Sequence, residues 1–214
     1  MHRDNKLSFQ HYYQASKVDK IIKELKHSRI VIVGNSLLVS HLVRHFSSLG
    51  IKKIMIKISR NGTIDIIGNL TQKNVDLLIL SSIGNESRIH EKINKLCIRN
   101  NIPFLTSRLF ADHGEIGPFV IPHKTACYMC YRKRIESNLP DSQKVKNEVK
   151  RKISLLYPII EIFSGYVSLE GLNFLTSYEV PVTIGNVIIT DFKKFKTKIH
   201  PLLKIPYCPI CGEE

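Results

Sequence analysis

Four of the five cysteines in this 214-residue chain form two Cys-x-x-Cys motifs, Cys127-Tyr-Met-Cys130 and Cys208-Pro-Ile-Cys211. Each motif places two thiolates about one turn apart, so both can reach one ion. Two such motifs complete the tetrahedral sulfur shell that Zn²⁺ favours in structural sites. We therefore predict one structural zinc ion bound by all four. Because four protein ligands leave no coordination position open, this ion would join two distant segments rather than catalyse a reaction.

Two other uses of paired cysteines compete with the zinc site. Disulfides are disfavoured because the N-terminal segment lacks the apolar core of a signal peptide, and cytosolic thiols stay reduced. Redox-active motifs would each open a helix after a strand, and two of them in one chain would be a coincidence. The fifth cysteine, Cys97, shares an apparent helix face with Ile93 and Leu96, which favours a core position over a nucleophile.

Composition narrows the class of partner. The chain carries 32 Lys and Arg against 18 Asp and Glu, a formal net charge of +14. Its basic residues are scattered, mostly lysine, and accompany no recognisable nucleic-acid module, so we predict no nucleic-acid partner. An AT-rich genome would also inflate lysine, and an acidic peptide or protein partner explains the charge equally well. No apolar run approaches about 18 residues, so we expect no membrane span and a cytoplasmic location.

The elements that must position the cysteines follow from hydrophobic periodicity. Apolar runs predict strands at residues 29–34, 51–58, 75–80 and 102–106, and helical spacing predicts helices at 16–26, 36–49 and 86–100. Such repeats indicate an α/β fold with a Rossmann-type, mostly parallel sheet flanked by helices. Further strands are expected at 186–190 and 193–198, and an antiparallel extension at 114–122 leads into the first cysteine motif.

We expect a single domain, 1–214, with an N-terminal helical segment at 1–28, a Rossmann-like half at 29–106 and a zinc and dimerisation half at 107–214. The charged segment from Arg132 to Lys152 predicts a solvated, mobile loop in preference to an ordered binding surface. Residues 153–177 predict a helix so apolar that it is buried, either in the core or across a dimer interface. Pro158 is expected in an early turn of this helix or at a kink.

The turn after the first strand is where a nucleotide would bind in such a fold. It reads Gly34-Asn-Ser-Leu-Leu-Val39, so only the first glycine of the G-x-G-x-x-G pattern is present. Ser36 and Val39 occupy the other two glycine positions. Lys57-Ile-Ser-Arg60 stands where an acidic residue would hold the ribose hydroxyls. We predict that this turn binds no ATP, and we assign no catalytic or cofactor-binding residue.

The order of these segments resembles the ThiF/MoeB ubiquitin-activating superfamily, over almost the whole chain. The likeness rests on the first helix and strand, the degenerate glycine turn, the two cysteine motifs, and the strings Asn85-Glu-Ser-Arg88, Ile93-Asn-Lys-Leu-Cys97 and Asn101-Ile-Pro-Phe. Active members carry an aspartate just before the position of Asn85, where it serves Mg·ATP, whereas this sequence has Gly84. Arg88 and Arg108 could still contact an anion, although surface arginines are more often simply solvated.

Within the superfamily, the sequence looks most like the ThiF-like partner proteins of YcaO cyclodehydratases, which make thiazole- and oxazole-modified peptides. Gly117–Pro122 running into the first cysteine motif, and His200–Gly212 around the second, carry this likeness. The resemblance implies a scaffold without ATP chemistry that brings a precursor peptide to the YcaO enzyme, which closes the azoline rings. Precursor leaders are often acidic, which suits a chain of charge +14. A homodimer, or a heterodimer with a related subunit, is expected.

One departure from that branch concerns leader capture, which usually relies on an N-terminal winged-helix module. Only 28 residues precede Arg29 here. The module is therefore a separate chain, or the peptide binds in another way, or the function differs. The rival hypotheses are a ThiF/MoeB-type adenylyltransferase that activates the C-terminus of a carrier protein or peptide, and a pseudo-subunit of such an enzyme.

Overall fold

A computed structural model describes residues 15–59, 70–138 and 155–212. The first half of the chain alternates between helices and strands: α1 (Ala15–His27), β1 (Arg29–Gly34), α2 (Ser36–Ser48), β2 (Lys53–Ile58), β3 (Leu77–Ile83), α3 (Ser87–Arg99) and β4 (Phe104–Leu109). The second half contains β5 (His113–Val120), α4 (Tyr128–Asn138), α5 (Tyr157–Thr176), β6 (Asn186–Asp191) and β7 (Lys196–Pro201).

The described strands form one sheet in the order β2-β1-β3-β4-β5-β6-β7. β2, β1, β3 and β4 run parallel to one another, whereas β5, β6 and β7 each pair antiparallel with the preceding strand. Residues 30–33 of β1 and 77–80 of β3 are continuous apolar runs because helices cover both faces of these central strands. The predicted mixed sheet with an antiparallel extension is confirmed.

Helices on the two faces of the sheet create two apolar cores. α1, α2 and α5 pack on one face around residues such as Leu42, Phe46 and Phe163. α3 and α4 pack on the other face, in a core that contains Phe104, Tyr128 and all five cysteines. The two cysteine motifs therefore meet on one side of the sheet, away from α5.

Several predicted strand boundaries are wrong by a few residues. β3 and β4 begin two residues later than predicted and end three residues later, because their ladder continues to the pairing of Ile83 with Leu109. The last strand starts at Lys196 rather than at residue 193. A turn precedes it, in which the Asp191 carboxylate accepts hydrogen bonds from the backbone N–H groups of Lys193 (2.9 Å) and Lys194 (3.0 Å).

The predicted mobile loop at 132–152 is also wrong at its start, because α4 includes its first seven residues. Arg132 donates to Glu136 one turn later (2.6 Å) and pairs with Glu91 of α3. Arg134 donates to the carbonyl of Leu203 (3.3 and 3.2 Å). Charged side chains, rather than an apolar stripe, therefore anchor this part of α4. For that reason hydrophobic periodicity did not predict a helix here. Residues 139–152 lie outside the described residues.

α5 carries apolar side chains on more than one side. Ile160, Phe163 and Val167 are buried in the core, which is one of the two positions expected for this helix. A second stripe, at positions 162, 166 and 169, consists of exposed Ile, Tyr and Leu side chains. Pro158 lies in the first turn, one of the two positions expected for it. No helix in the described ranges is long and apolar enough to cross a membrane.

A buried carboxylate on α5 holds the segment that leads into β6. Glu170 accepts hydrogen bonds from the backbone N–H groups of Val182 (3.2 Å) and Thr183 (2.8 Å) and from the Thr183 hydroxyl. Glu170 is almost fully buried. These bonds connect the last helix to the antiparallel half of the sheet.

We expect Glu170→Ala to lower the free energy of unfolding by about 3 kcal/mol, because two amides and one hydroxyl lose a charged acceptor inside the protein. Denaturant titration measures this change. Glu179→Ala is the matched control, because Glu179 is exposed, and it should change the unfolding free energy by less than about 0.5 kcal/mol. Equal effects of the two substitutions would contradict the role given to Glu170.

Candidate metal centre

The four cysteines of the two motifs converge on the face covered by α3 and α4. The Sγ atom of Cys127 lies 4.0 Å from that of Cys130 and 3.7 Å from that of Cys208, and Cys130 and Cys211 are 3.5 Å apart. All four sulfurs lie within 4.8 Å of one another, and all four residues are buried. A tetrahedral site with metal–sulfur bonds of about 2.3 Å has sulfur–sulfur separations of about 3.8 Å. The cluster could therefore hold a metal ion.

Each motif is held by local backbone structure. Cys127 immediately precedes α4, and Cys130 lies in its first turn. The second motif follows β7 in a tight turn, where the Gly212 N–H donates to the carbonyl of Cys208 (2.8 Å). A Cβ atom at Gly212 would lie 2.6 Å from that carbonyl oxygen and 2.7 Å from the carbonyl oxygen of Pro206. Glycine is therefore required for the turn.

Two N–H groups from outside the motifs donate to the sulfurs. Asn94 Nδ2 on α3 lies 3.6 Å from Cys127 Sγ, and the Ile205 backbone N lies 3.5 Å from Cys130 Sγ. Asn94 Oδ1 also accepts from the Tyr128 N–H (3.1 Å), so this side chain fixes both the sulfur and the start of α4. Hydrogen bonds of this kind orient metal-binding thiolates.

Sequence reasoning missed Asn94. It is fully buried on α3, beside the apolar residues Ile93 and Cys97. The available signal was a polar side chain on the apolar stripe of an amphipathic helix, since a buried amide needs hydrogen-bond partners. The sequence did not reveal that the partner is a cysteine 33 residues away.

The clustered thiols differ in acidity. Hydrogen bonds from Cys127 and Cys211 hold the pKa of Cys130 far below the usual range of a thiol, and the interaction with Cys130 raises the pKa of Cys127. Since metals bind thiolates, occupation of the cluster would release the remaining protons.

The structure separates the competing uses of these cysteines by proximity. All five cysteines are free thiols. The first motif lies at the start of a helix that follows a strand, as a redox-active motif would. Its position in the fold therefore does not distinguish a redox motif from a metal site. The two sulfurs of the second motif lie against the first, which favours a shared metal. Cys97 is buried in the core as predicted, and burial raises the pKa of its thiol.

The turn after β1 is closed by its own hydrogen bonds. The Asn35 side chain caps α2 by accepting from the Leu37 N–H (3.0 Å), and the Asn35 N–H donates to the carbonyl of Ser81 (3.0 Å). Val39 is buried at the contact between helix and sheet. Two amides of this turn therefore bind protein atoms. The segment at 57–60, which stands where an acidic residue would hold the ribose, ends with Arg60, and Arg60 lies outside the described residues.

The residue that replaces the family's aspartate also contacts protein. The N–H of Gly84 donates to the carbonyl of Leu109 (2.8 Å), which ties the end of β3 to the end of β4. Gly84 is buried and has a φ of +72°. Its position has no side chain that could bind a cation.

A buried ion pair lies where α4 covers the sheet. Arg108 on β4 pairs with Glu115 on β5, and its guanidinium lies 5.5–5.8 Å from the ring centroids of Phe110, Tyr128 and Tyr131. The Tyr131 hydroxyl donates to Glu115 (3.0 Å). Of the two alternatives raised for Arg108, simple solvation is wrong, because Glu115 and three aromatic rings surround it.

His113 extends this network to the surface. Its ring stacks on Phe110 at 4.4 Å, its Nδ1 lies 2.7 Å from Asp112 Oδ1, and its Nε2 lies 3.7 Å from Glu115 Oε1. Glu115 raises the pKa of His113, burial opposes this, and Asp112 adds to the rise. Burial acts to raise the pKa of Glu115, but His113 and Arg108 together keep it below its ordinary value.

Comparison with known proteins agrees with this architecture. The sequence profile of the ThiF family matches residues 69–210, which are 142 of the 214 residues. The chain belongs to the ThiF family. No curated protein sequence matches this ThiF-family chain significantly.

Solved structures share the fold at low sequence identity. The microcin C7 biosynthetic enzyme MccB in complex with N-formylated MccA has a TM-score of 0.74 at 17% identity, over 97% of this chain and 74% of that one. E. coli MccB with ATP has a TM-score of 0.67 at 17% identity, over 92% and 70%. A heterocyclase in complex with substrate and cofactor has a TM-score of 0.70 at 16% identity, over 90% of this ThiF-family chain and 26% of the heterocyclase.

We expect the stability that His113 contributes to depend on pH. Because its folded pKa is raised, the stabilisation is complete below the ordinary histidine pKa of about 6.5 and is lost as the pH rises through the folded value. The destabilisation caused by His113→Gln should therefore be larger at about pH 6 than at about pH 9. Denaturant unfolding at both pH values measures it. In an Asp112→Asn background, which lacks one of the two carboxylate partners, the effect of His113→Gln should still be larger at the lower pH, but by a smaller margin. An effect of His113→Gln that is the same at both pH values would refute this assignment.

Proposed function

We propose that this ThiF-family chain is a scaffold subunit that binds no ATP and presents a ribosomally made precursor peptide to a YcaO-type cyclodehydratase for azoline formation. The observation that carries the proposal is the closed turn after β1, where Asn35 caps α2 and Val39 fills a glycine position. A phosphate-binding turn keeps its amides free and its backbone accessible. The fold shared with MccB and with the heterocyclase supports a role in peptide modification.

We further propose that the cysteine cluster binds a structural Zn²⁺ through Cys127, Cys130, Cys208 and Cys211. A buried set of four sulfurs suits zinc or iron, and closed sites of this composition are typical of structural zinc. The ion would join α4 to the segment after β7. The proposal places the protein in the cytoplasm, where thiols remain reduced.

The proposed scaffold is a dimer, either of this chain or with a related subunit. The exposed stripe of α5, formed by Ile162, Tyr166 and Leu169, supports this proposal. These side chains recur at i, i+4 and i+7, so they lie on one side of the helix. Apolar stripes of this kind are commonly covered by another chain.

The alternative function is that of an adenylyltransferase acting on a carrier protein or peptide C-terminus, or a pseudo-subunit of such an enzyme. The observation that favours it is the fold shared with E. coli MccB in its ATP complex. Against it stand the closed turn and Gly84, which offers no carboxylate for a metal–nucleotide complex.

We expect metal analysis to find one zinc ion per chain. The double substitution Cys208→Ser with Cys211→Ser should abolish zinc binding and cause unfolding or aggregation, because metal binding and folding are coupled in such sites. Cys97→Ala is the control and should retain the full zinc content, since Cys97 lies in the apolar core. Iron in place of zinc, or a fully soluble and folded double variant, would contradict the structural zinc.

We expect the full chain to retain its cognate YcaO enzyme and precursor peptide in a pull-down at low salt, and to retain less peptide at high salt. The reason is charge, because a chain of net charge +14 attracts an acidic leader and salt screens that attraction. Retention of a ubiquitin-like carrier, with neither of the two expected partners, would overturn the scaffold function.

Calorimetry with Mg·ATP separates the two candidate functions. The scaffold should bind Mg·ATP no more tightly than about 1 mM. Exchange of pyrophosphate into ATP, supported by a peptide or a carrier protein, would establish the adenylyltransferase instead.

A further inference from the structure

β7 is the outermost strand on the antiparallel side of the sheet. Among the residues that the structure describes, it pairs only with β6. All six residues of β7 are exposed, so both of its faces are open in the described structure. In an antiparallel ladder, alternate residues of an edge strand direct their N–H and C=O groups outward. Such an edge is a template for an additional strand.

One face of β7 is basic. Lys196, Lys198 and His200 alternate along the strand and therefore lie on the same face. His200 is paired with Val187 of β6, which belongs to the core that contains the cysteines, so the basic face lies on the side of the metal centre. The segment 192–212 contains five lysines and no acidic residue.

The same edge also displays apolar side chains. Phe195 is 87% exposed, Ile199 is 54% exposed and Leu203 is 71% exposed. Lysines on an edge strand often serve only to prevent association with other strands. A purely protective edge would not combine them with exposed apolar residues of this size, because such residues promote association. The combination favours a partner that is both acidic and partly apolar.

The charges on β7 disfavour its pairing with the β7 strand of a second copy of the chain. If two β7 strands paired antiparallel about a two-fold axis at Lys198, the two Lys198 side chains would lie opposite each other, and with the axis at Thr197 each Lys196 would lie opposite a Lys198. Like charges in directly opposed positions destabilise a strand pair. An acidic strand would place carboxylates at the same positions.

We propose that the β7 edge binds an extended acidic peptide segment as an eighth strand of the described sheet. Carboxylates at alternate positions pair with Lys196 and Lys198, and the intervening apolar side chains pack beside Ile199. Backbone hydrogen bonds supply the pairing, while the lysines select the sequence. The inference rests on the proposed function for the source of the segment, which is then the precursor peptide.

The first test is a fluorescence titration of the full chain with a synthetic peptide of about ten alternating Glu and Val residues, at low salt. The double variant Lys196→Gln with Lys198→Gln should bind about fivefold more weakly, since two exposed ion pairs are lost. Lys193→Gln with Lys194→Gln removes the same charge from the adjacent turn and should weaken binding by less than about twofold. Equal losses would overturn the site, because they would indicate general charge attraction.

The second test examines backbone pairing with two peptides that are N-methylated at alternate residues, one at the odd and one at the even positions. Only the peptide whose methyl groups point away from β7 should retain binding, because the other loses its ladder hydrogen bonds. If both bind as tightly as the parent peptide, strand addition is wrong. A dimer of the chain that depends on Lys196 and Lys198 and excludes the peptide would also overturn the proposal.

The pull-down separates this site from the proposed function. Loss of the precursor peptide by the Lys196→Gln, Lys198→Gln variant, with YcaO still retained, supports β7 as the docking strand. Undiminished retention of the precursor by that variant overturns the β7 site and leaves the scaffold function intact. If the unaltered chain retains neither partner, the scaffold function fails, and the synthetic peptides still decide whether β7 accepts an acidic strand.

Discussion

The convergence of the two cysteine motifs is the constraint on which the second half of the structure depends. Four sulfurs within 4.8 Å of one another require the turn at 208–211 to lie against the start of α4. The chain between the motifs includes α5, β6 and β7, so these elements must leave the cluster and return to it. The antiparallel extension of the sheet provides that return path, because β6 and β7 form a hairpin beside β5.

Polar contacts connect this half to the Rossmann-like half. Arg108 on β4 and Glu115 on β5 form a buried pair, which the Tyr131 hydroxyl on α4 joins. Asn94 on α3 contacts the start of α4 and a cysteine sulfur. Because each buried polar group has its partner on another element, these contacts specify how the helices sit on the sheet. On the opposite face, apolar packing of α1, α2 and α5 supplies the core.

Membership of the ThiF family and the fold shared with MccB leave the chemistry open, because one fold serves many functions. The distinction lies in local features. The turn after β1 is capped by Asn35, and Val39 is buried where the nucleotide-binding pattern has a glycine. The basic edge strand and the stripe of α5 are exposed, and they are the surfaces at which the proposed peptide and a second subunit would bind. These local features are the ones on which the proposed scaffold function rests.

The sequence by itself determined the parallel strands and the cysteine cluster. Continuous apolar runs require cover on both faces, and paired thiols at this spacing suit one ion. The tertiary structure alone decided three other features: the helical start of the segment at 132–152, the burial of Arg108, and the contact of Asn94 with Cys127. In each case the deciding partner is distant along the chain or on another element. Local periodicity indicates only which face of a helix or strand a residue occupies. It does not identify the residue that contacts it on that face.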